Sequence, residues 1–137
     1  MKKGNNKYEI DEHFLEVNET FSNNLEERTF LFAKNVRLLI KNLPANTVNI
    51  EDGKQVVRSS GSVGANYIES REPLGLKDCL MRLRISRKEA KESAYFLKLI
   101  SATNSNKNKT SADILYKEAN ELIKILSAII IKIKNKT

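Results

Sequence analysis

The 137-residue sequence predicts an all-α protein, an antiparallel up-and-down four-helix bundle preceded by a short N-terminal arm. Three observations predict it. Apolar residues recur at spacings of three and four in four long segments, which is the period of an amphipathic helix. Five glycines and two prolines are too few for a loop-rich or all-β fold. The segments are joined by short connectors, which favours antiparallel neighbours. We assign residues 1–24 to a partly helical arm and residues 25–137 to the bundle domain.

The arm has one apolar side and one acidic side. Residues 9–21 place Ile10, Phe14, Val17 and Phe21 at helical spacing. The rest of the segment holds five acidic residues and no Lys or Arg; the acids are Glu9, Asp11, Glu12, Glu16 and Glu19. We expect this arm to cover its own bundle or to lie on a neighbouring subunit.

The first two predicted helices flank Pro44. The first begins after Asn23 or Asn24, either of which suits an N-cap, and ends at the proline, which cannot continue a helix. The second is expected over about residues 50–70. Helical period continues through Gly61 and Gly64, so we predict a helix there rather than a loop. Glycines in a helix cost about 1 kcal/mol each, and close approach to a neighbouring helix would offset that cost.

The third helix is predicted over about residues 76–102, and a polar linker over residues 104–111 leads to a fourth helix that starts near Thr110 or Ser111. The inward stripe of the third helix is Leu76, Leu80, Leu83, Ala90, Ala94, Leu97 and Ser101. That of the fourth is Leu115, Ala119, Leu122, Leu126, Ile129 and Ile133. Further isoleucines widen the apolar side of the fourth helix, namely Ile114, Ile123, Ile125, Ile130 and Ile131. So wide an apolar surface predicts a second partner, hence contact between subunits.

The net charge of +7 and the pI near 9.5 come from the second part of the chain. Basic and acidic residues cancel over residues 1–50, whereas residues 51–100 carry +3 and residues 101–137 carry +4. Such an excess attracts polyanions. The alternative is a lysine-rich solvated surface without a ligand.

A basic stripe follows one flank of the third helix. Its members, our candidate nucleic-acid-binding residues, are Arg84, Arg87, Lys88, Lys91 and Lys98. Cations in a row suit a phosphate backbone. Glu89 and Glu92 on the adjacent flank could neutralise the stripe by pairing with Lys88 or with Arg58. We favour an Arg58–Glu89 ion pair. Tyr95 is the aromatic residue near the stripe, which disfavours sequence-specific recognition of single strands.

No pattern of catalysis is evident. His13 is the single histidine, so the paired Glu-x-x-His motifs of a bundle metal site are missing, and Cys79 has no histidine near it. Glycine-rich phosphate loops and the Gly-x-Ser-x-Gly motif are absent as well. We expect no catalytic residue, metal, cofactor or small-molecule substrate. One cysteine, no secretory signal and no apolar run approaching about 20 residues predict a cytoplasmic protein that does not enter the membrane.

The glycine-bearing second helix carries a family resemblance. Residues 55–69 match the pattern Arg-Ser-x-x-Ser-Val-Gly-Ala-Asn-Tyr-x-Glu of the four-helix bundle proteins encoded in 23S rRNA intervening sequences. Residues 28–44 and 83–93 resemble the same family, and the resemblance covers about residues 25–133. The matching positions that we expect to be structural are Arg58, Ser62, Gly64, Asn66, Glu69 and Glu89.

The resemblance implies a small basic bundle that assembles as a ring-shaped homopentamer and binds RNA or DNA, in a family whose biochemical role is not established. A related branch comprises accessory proteins of diversity-generating retroelements, which act with a reverse transcriptase. We therefore expect a non-enzymatic, homo-oligomeric RNA-binding protein. The alternative is an interaction scaffold or reverse-transcriptase accessory protein whose basic groove receives an acidic protein or the arm itself. After Glu69 the chain departs from the family pattern, reading Ser70-Arg71-Glu72-Pro73, which leaves the partner open.

Overall fold

The chain forms the predicted four-helix bundle. A computed structural model describes residues 24–135, and within that range it contains four helices and no strand. They are α1 (Leu25–Asn42), α2 (Thr47–Ser70), α3 (Leu76–Thr103) and α4 (Asn106–Asn135). Helices adjacent in the chain pack on each other, and α4 returns to pack on α1. The predicted arm helix over residues 9–21 lies outside the described residues.

The ends of α1 agree with the sequence analysis. The Asn24 side chain accepts a hydrogen bond from the Glu27 amide at 3.3 Å, as an N-cap does. Glu26 and Glu27 occupy the first turn, where the positive end of the helix dipole stabilises carboxylates. At the other end Leu43 is extended before Pro44, so the helix ends at Asn42.

Two helix starts were predicted too late. α2 begins at Thr47 rather than Ile50 because the Asn46 side chain caps it, accepting from the Asn49 amide at 2.8 Å. α4 begins at Asn106, so most of the predicted linker over residues 104–111 is helical, and the connection is only Asn104 and Ser105. The first turn of a helix can be as polar as a loop when it faces solvent. Here Asn108 holds the first turn of α4 in place by accepting a hydrogen bond from Asn42 at 2.8 Å.

The core lies along the predicted stripes, with exceptions at the helix ends. Large side chains that are fully buried come from all four helices and include Phe32, Val36, Val56, Val63, Leu83, Leu97, Ile100, Leu115, Leu122 and Leu126. Leu76, predicted to be inward, is 46% exposed in the first turn of α3. In the last turns of α4, Ile130 is buried while Ile129 and Ile133 are only half-buried.

The wide apolar surface of α4 is mostly used inside the bundle. Ile114, Ile123 and Ile125 are half-buried and pack against the core. Of the isoleucines expected to meet another subunit, Ile131 alone is exposed, at 58%. Packing within one chain therefore accounts for most of this surface. The width of the apolar side of α4 is explained without contact between subunits.

α2 runs without a break through both central glycines, as predicted. A Cβ atom placed on Gly64 would lie 2.8 Å from Thr29 Oγ1 and 3.1 Å from Thr29 Cβ. The missing side chain thus lets α1 approach the α2 backbone closely. None of the four described helices combines the length and the apolarity that crossing a bilayer requires.

Candidate nucleic-acid interface

The seam between α2 and α3 determines which side of α3 faces outward. Small residues line it: Ser59 and Ser93 join through their hydroxyl oxygens at 2.7 Å, and Ser86 Oγ donates to the Val63 carbonyl at 2.7 Å. Ala90 lies between the two serines of α3 and is fully buried. These buried hydrogen bonds hold α3 against α2 in one orientation.

Arg58 of α2 pairs with two carboxylates of α3 at the seam. Its guanidinium lies 3.3 Å from Glu89, its predicted partner, and also bonds to Glu92. The Arg58 side chain is about half exposed, whereas that of Glu89 is 14% exposed. Both carboxylates therefore pair with Arg58 on the side of α3 that faces α2, and neither forms an ion pair with Lys88.

The remaining signature residues do not form one site. Gly64 is buried against α1, and Ser62 is half-buried. Asn66 donates to the Ser62 carbonyl at 3.0 Å and accepts from Arg82 of α3 at 3.2 Å. Glu69 is exposed near the end of α2. Gly64 and Asn66 thus contribute to the packing of α2 against its neighbours, whereas Glu69 lies at the surface.

The outer side of α3 is basic along most of its length. We call it the α3 cation face, and its residues are Lys77, Arg84, Lys88, Lys91 and Lys98, all exposed. They follow one another at spacings of seven, four, three and seven residues, which keeps them on one side of a helix. Lys77 was not among the predicted residues, although its spacing of seven from Arg84 could have identified it. By helical rise the face is about 31 Å long.

The α3 cation face carries no compensating acid. The acidic residues of α3, Asp78, Glu89 and Glu92, are half-buried on the flank toward α2. None of the five cations forms an ion pair with another residue of the described range 24–135. Their charges are therefore open to solvent and to an external anion.

Two further side chains border this face. Arg87, a predicted member of the basic stripe, is half-buried and donates to Ser127 Oγ of α4 at 3.2 Å, so it lies at the edge. Tyr95 is 59% exposed between Lys91 and Lys98, and its ring meets Phe96 edge-on with centroids 5.4 Å apart. One exposed ring among several cations can stack on a base but cannot read a sequence.

A buried ion pair escaped the sequence analysis. Arg28 of α1 and Glu118 of α4 are 4% and 3% exposed and bond to each other in the interior. The signal was present in the spacing: Arg28 precedes Phe32 by four residues, and Glu118 follows Leu115 by three. Both positions therefore point inward, although their charge suggested the surface.

The comparison with protein families decides the affiliation of the bundle. Residues 22–128 match the family model described as 23S rRNA-intervening sequence protein. The chain belongs to this family. The match covers all of α1, α2 and α3 and most of α4, so the signature in α2 and the α3 cation face both lie within the family's domain.

A crystal structure from Bacteroides thetaiotaomicron at 1.70 Å resolution has a similar fold. It is described as a protein with unknown function from the S23 ribosomal protein family. It is 26% identical to this chain and superposes with a TM-score of 0.67, over 77% of this chain and 97% of its own. No curated protein matches the chain. Neither description names an enzymatic activity.

Proposed function

We propose that this protein of the 23S rRNA-intervening sequence family is a non-enzymatic, cytoplasmic nucleic-acid-binding protein, with RNA as its ligand. The observation that carries the proposal is the α3 cation face: five exposed cations on one side of one helix, without an ion pair to any described residue. A sugar–phosphate backbone lying along α3 would neutralise those charges. Release of the counterions that surround a nucleic acid would supply much of the affinity.

The composition of the face favours binding without base sequence specificity. Phosphate contacts position a nucleic acid, whereas base contacts specify it. The five residues are four lysines and one arginine, all exposed, and Tyr95 is the one exposed ring among them. We therefore expect similar affinity for RNA fragments of equal length and different sequence, and a strong dependence on salt.

We further propose that the protein acts as a homo-oligomer, a pentamer by analogy with the family. Each copy in such an assembly would contribute one α3 cation face. Several faces on one particle would bind a long RNA with much higher avidity than a single copy. Native mass spectrometry tests the assembly, and a monomer at micromolar concentration would contradict this part of the proposal.

Fluorescence anisotropy with a labelled ribosomal RNA fragment tests the binding face. The test variant replaces Arg84, Lys88, Lys91 and Lys98 by Gln. The control variant replaces four exposed lysines on other faces, Lys41, Lys54, Lys117 and Lys124, by Gln. Each variant removes four charges from the formal net charge of +7. We expect the test variant to lose about tenfold or more in affinity at low salt, and the control to lose much less.

Equal losses in the two variants would show that net charge alone, and not the α3 cation face, attracts RNA. Absence of RNA binding by the unmodified protein at low salt would refute the proposal altogether. A labelled poly-glutamate of matched charge separates the alternative function: tighter binding of poly-glutamate than of RNA would indicate an acidic protein partner.

A further inference from the structure

An apolar groove lies between α1 and α2 on the outside of the bundle. Its rims carry two large exposed side chains, Phe30 at 61% and Ile68 at 46% exposure. Its floor between them is built from small residues, Ala33, Gly61 and Ala65, and the cavity there measures about 450 Å³. Two large exposed apolar side chains beside a floor of small residues form a surface that the apolar side of a helix could cover.

The two ends of the groove differ in charge. Near the start of α1 it is bordered by Glu26, Glu69 and Glu72, with Arg71 lying 3.7 Å from Glu26. Toward the end of α1 the guanidinium of Arg37 crosses from α1 to α2, donating to the carbonyls of Ala33 at 3.0 Å and Val57 at 3.3 Å, and Lys41 follows one turn further along α1. An occupant with acidic residues at one end would therefore be held in one direction.

The chain carries a segment of matching length and chemistry. Twenty-three residues precede Asn24, and they end at the mouth of the groove because α1 begins at Leu25 beside Glu26. Within them, Ile10, Phe14, Val17 and Phe21 fall on one side of a predicted helix. That helix, residues 9–21, would be about 20 Å long, close to the distance from Glu26 to Lys41 along α1.

We propose that residues 9–21 dock as a helix in the α1–α2 groove of their own chain, antiparallel to α1. Ser22, Asn23 and Asn24 supply the turn, since antiparallel helices are commonly joined by two to five residues. Equal chain distances from that turn place Phe14 opposite Ala33 and Gly61, where its ring can pack on the guanidinium of Arg37, which lies 3.1 Å from the Cβ position of Gly61. Val17 comes opposite Phe30, beside Ala65.

Charge supports this direction and disfavours the reverse. On the predicted helix Glu9 and Asp11 flank the apolar stripe at its N-terminal end, whereas Glu12, Glu16 and Glu19 lie on the opposite side. The antiparallel arrangement brings Glu9 and Asp11 to the basic end of the groove. A parallel arrangement would bring them to the acidic end. The outward acids remain in solvent, so the arm occupies the groove and leaves the α3 cation face open.

Chemical crosslinking tests the docking in the full-length chain. In a Cys79→Ala background, Val17→Cys is combined with Ala65→Cys in the groove and treated with a short bis-maleimide. The matched control combines Val17→Cys with Met81→Cys, an exposed position of α3 at the same end of the bundle as Ala65. We expect an intramolecular crosslink that forms about tenfold faster with Cys at 65 than with Cys at 81, since docking raises the local concentration of the arm at the groove. Helical circular dichroism of both variants verifies that the bundle is intact.

Equal crosslinking rates in the two variants would overturn the proposal. A second experiment mixes chains that have a single cysteine at 17 with chains that have a single cysteine at 65. Covalent dimers in this mixture would show that the arm docks on a second copy, and would overturn its assignment to its own chain. Replacement of Phe14 by Ala should slow the crosslink to residue 65 without changing the control. An unaffected rate would contradict the register.

Discussion

Arg28 donates two hydrogen bonds to Glu118 across the interface of α1 and α4, from Nε to Oε2 at 2.6 Å and from Nη2 to Oε1 at 2.8 Å. The two residues are 90 positions apart in the chain and almost completely buried. A bidentate pair of this geometry fixes the register of the first helix against the last. The pair lies in the interface between α1 and α4, which is the smallest helix interface of the bundle.

The pair gives the first prediction. Replacing Arg28 by Met leaves a buried carboxylate without its counter-charge, and we expect a loss of about 3–5 kcal/mol in the free energy of unfolding. Replacing both residues, Arg28→Met with Glu118→Leu, removes the buried charges together and should restore most of that loss. Urea denaturation of the single and double variants measures both. A double variant as unstable as Arg28→Met would contradict the account.

The second prediction concerns pH. Burial raises the pKa of Glu118 above its ordinary value of 4.5, while the hydrogen bonds and the charge of Arg28 oppose the rise. Between the ordinary and the raised pKa the folded state binds a proton that the unfolded state has lost, so stability falls as pH increases through this window. The free energy of unfolding of the wild type, relative to Glu118→Gln, should therefore decrease from pH 4.5 toward neutrality.

Denaturation of both proteins at several pH values checks this sign. If the free energy of unfolding of the wild type relative to Glu118→Gln instead increased with pH, the charge of Arg28 would outweigh burial and the pKa of Glu118 would be lowered. The Gln variant is the suitable reference because it preserves the shape of the side chain and does not titrate in this range.

The two central glycines of α2 should respond differently to alanine, which is the third prediction. At Gly64 the new Cβ would lie 2.8 Å from Thr29 Oγ1, so α1 must move, and we expect a loss of about 1–3 kcal/mol. At Gly61 the nearest atom is Arg37 Nη2 at 3.1 Å, the end of a long, exposed side chain that can shift without moving the backbone. There the better helix propensity of alanine should leave stability unchanged or raise it by up to about 1 kcal/mol. Thermal unfolding of the two variants compares them, and equal effects would contradict the close approach at Gly64.

Two arginines provide the fourth prediction. Arg58→Gln and Arg84→Gln each remove one positive charge from an exposed arginine. Arg58 is already neutralised by Glu89 and Glu92, whereas Arg84 has no ion pair with a described residue. We expect Arg84→Gln to weaken RNA binding and to reduce the slope of log K against log salt by about one. Arg58→Gln should leave the slope unchanged. The same slope for both variants would argue against a localised interface.

Much of this fold is readable from the spacing of apolar residues. Phe32, Val63, Leu97 and Leu122 occupy the core positions that the helical period assigns to them. The start of α4 was missed for a physical reason: the turn after Asn106 is exposed, and an exposed helical turn and a loop can have the same polar composition. Only contacts with distant residues, such as that between Asn42 and Asn108, distinguish them.

The candidate interface was predictable in part. Helical spacing alone places Arg84, Lys88 and Lys91 on one side of α3. Which way Glu89 and Glu92 turn depends on where α2 lies, and the sequence left their pairing open between Arg58 and Lys88. The Arg28–Glu118 pair required knowledge of which helices meet, since spacing shows that a residue points inward but not which partner it meets.

Lysine acetylation footprinting with and without a ribosomal RNA fragment tests the central claim most directly, because it reports each lysine of the unmodified protein. RNA should protect Lys77, Lys88, Lys91 and Lys98 from acetylation and leave Lys41 and Lys117, on other exposed faces, as reactive as before. Protection of Lys41 and Lys117 equal to that of the α3 lysines, or no protection at all, would contradict the assignment of the α3 cation face as the nucleic-acid interface.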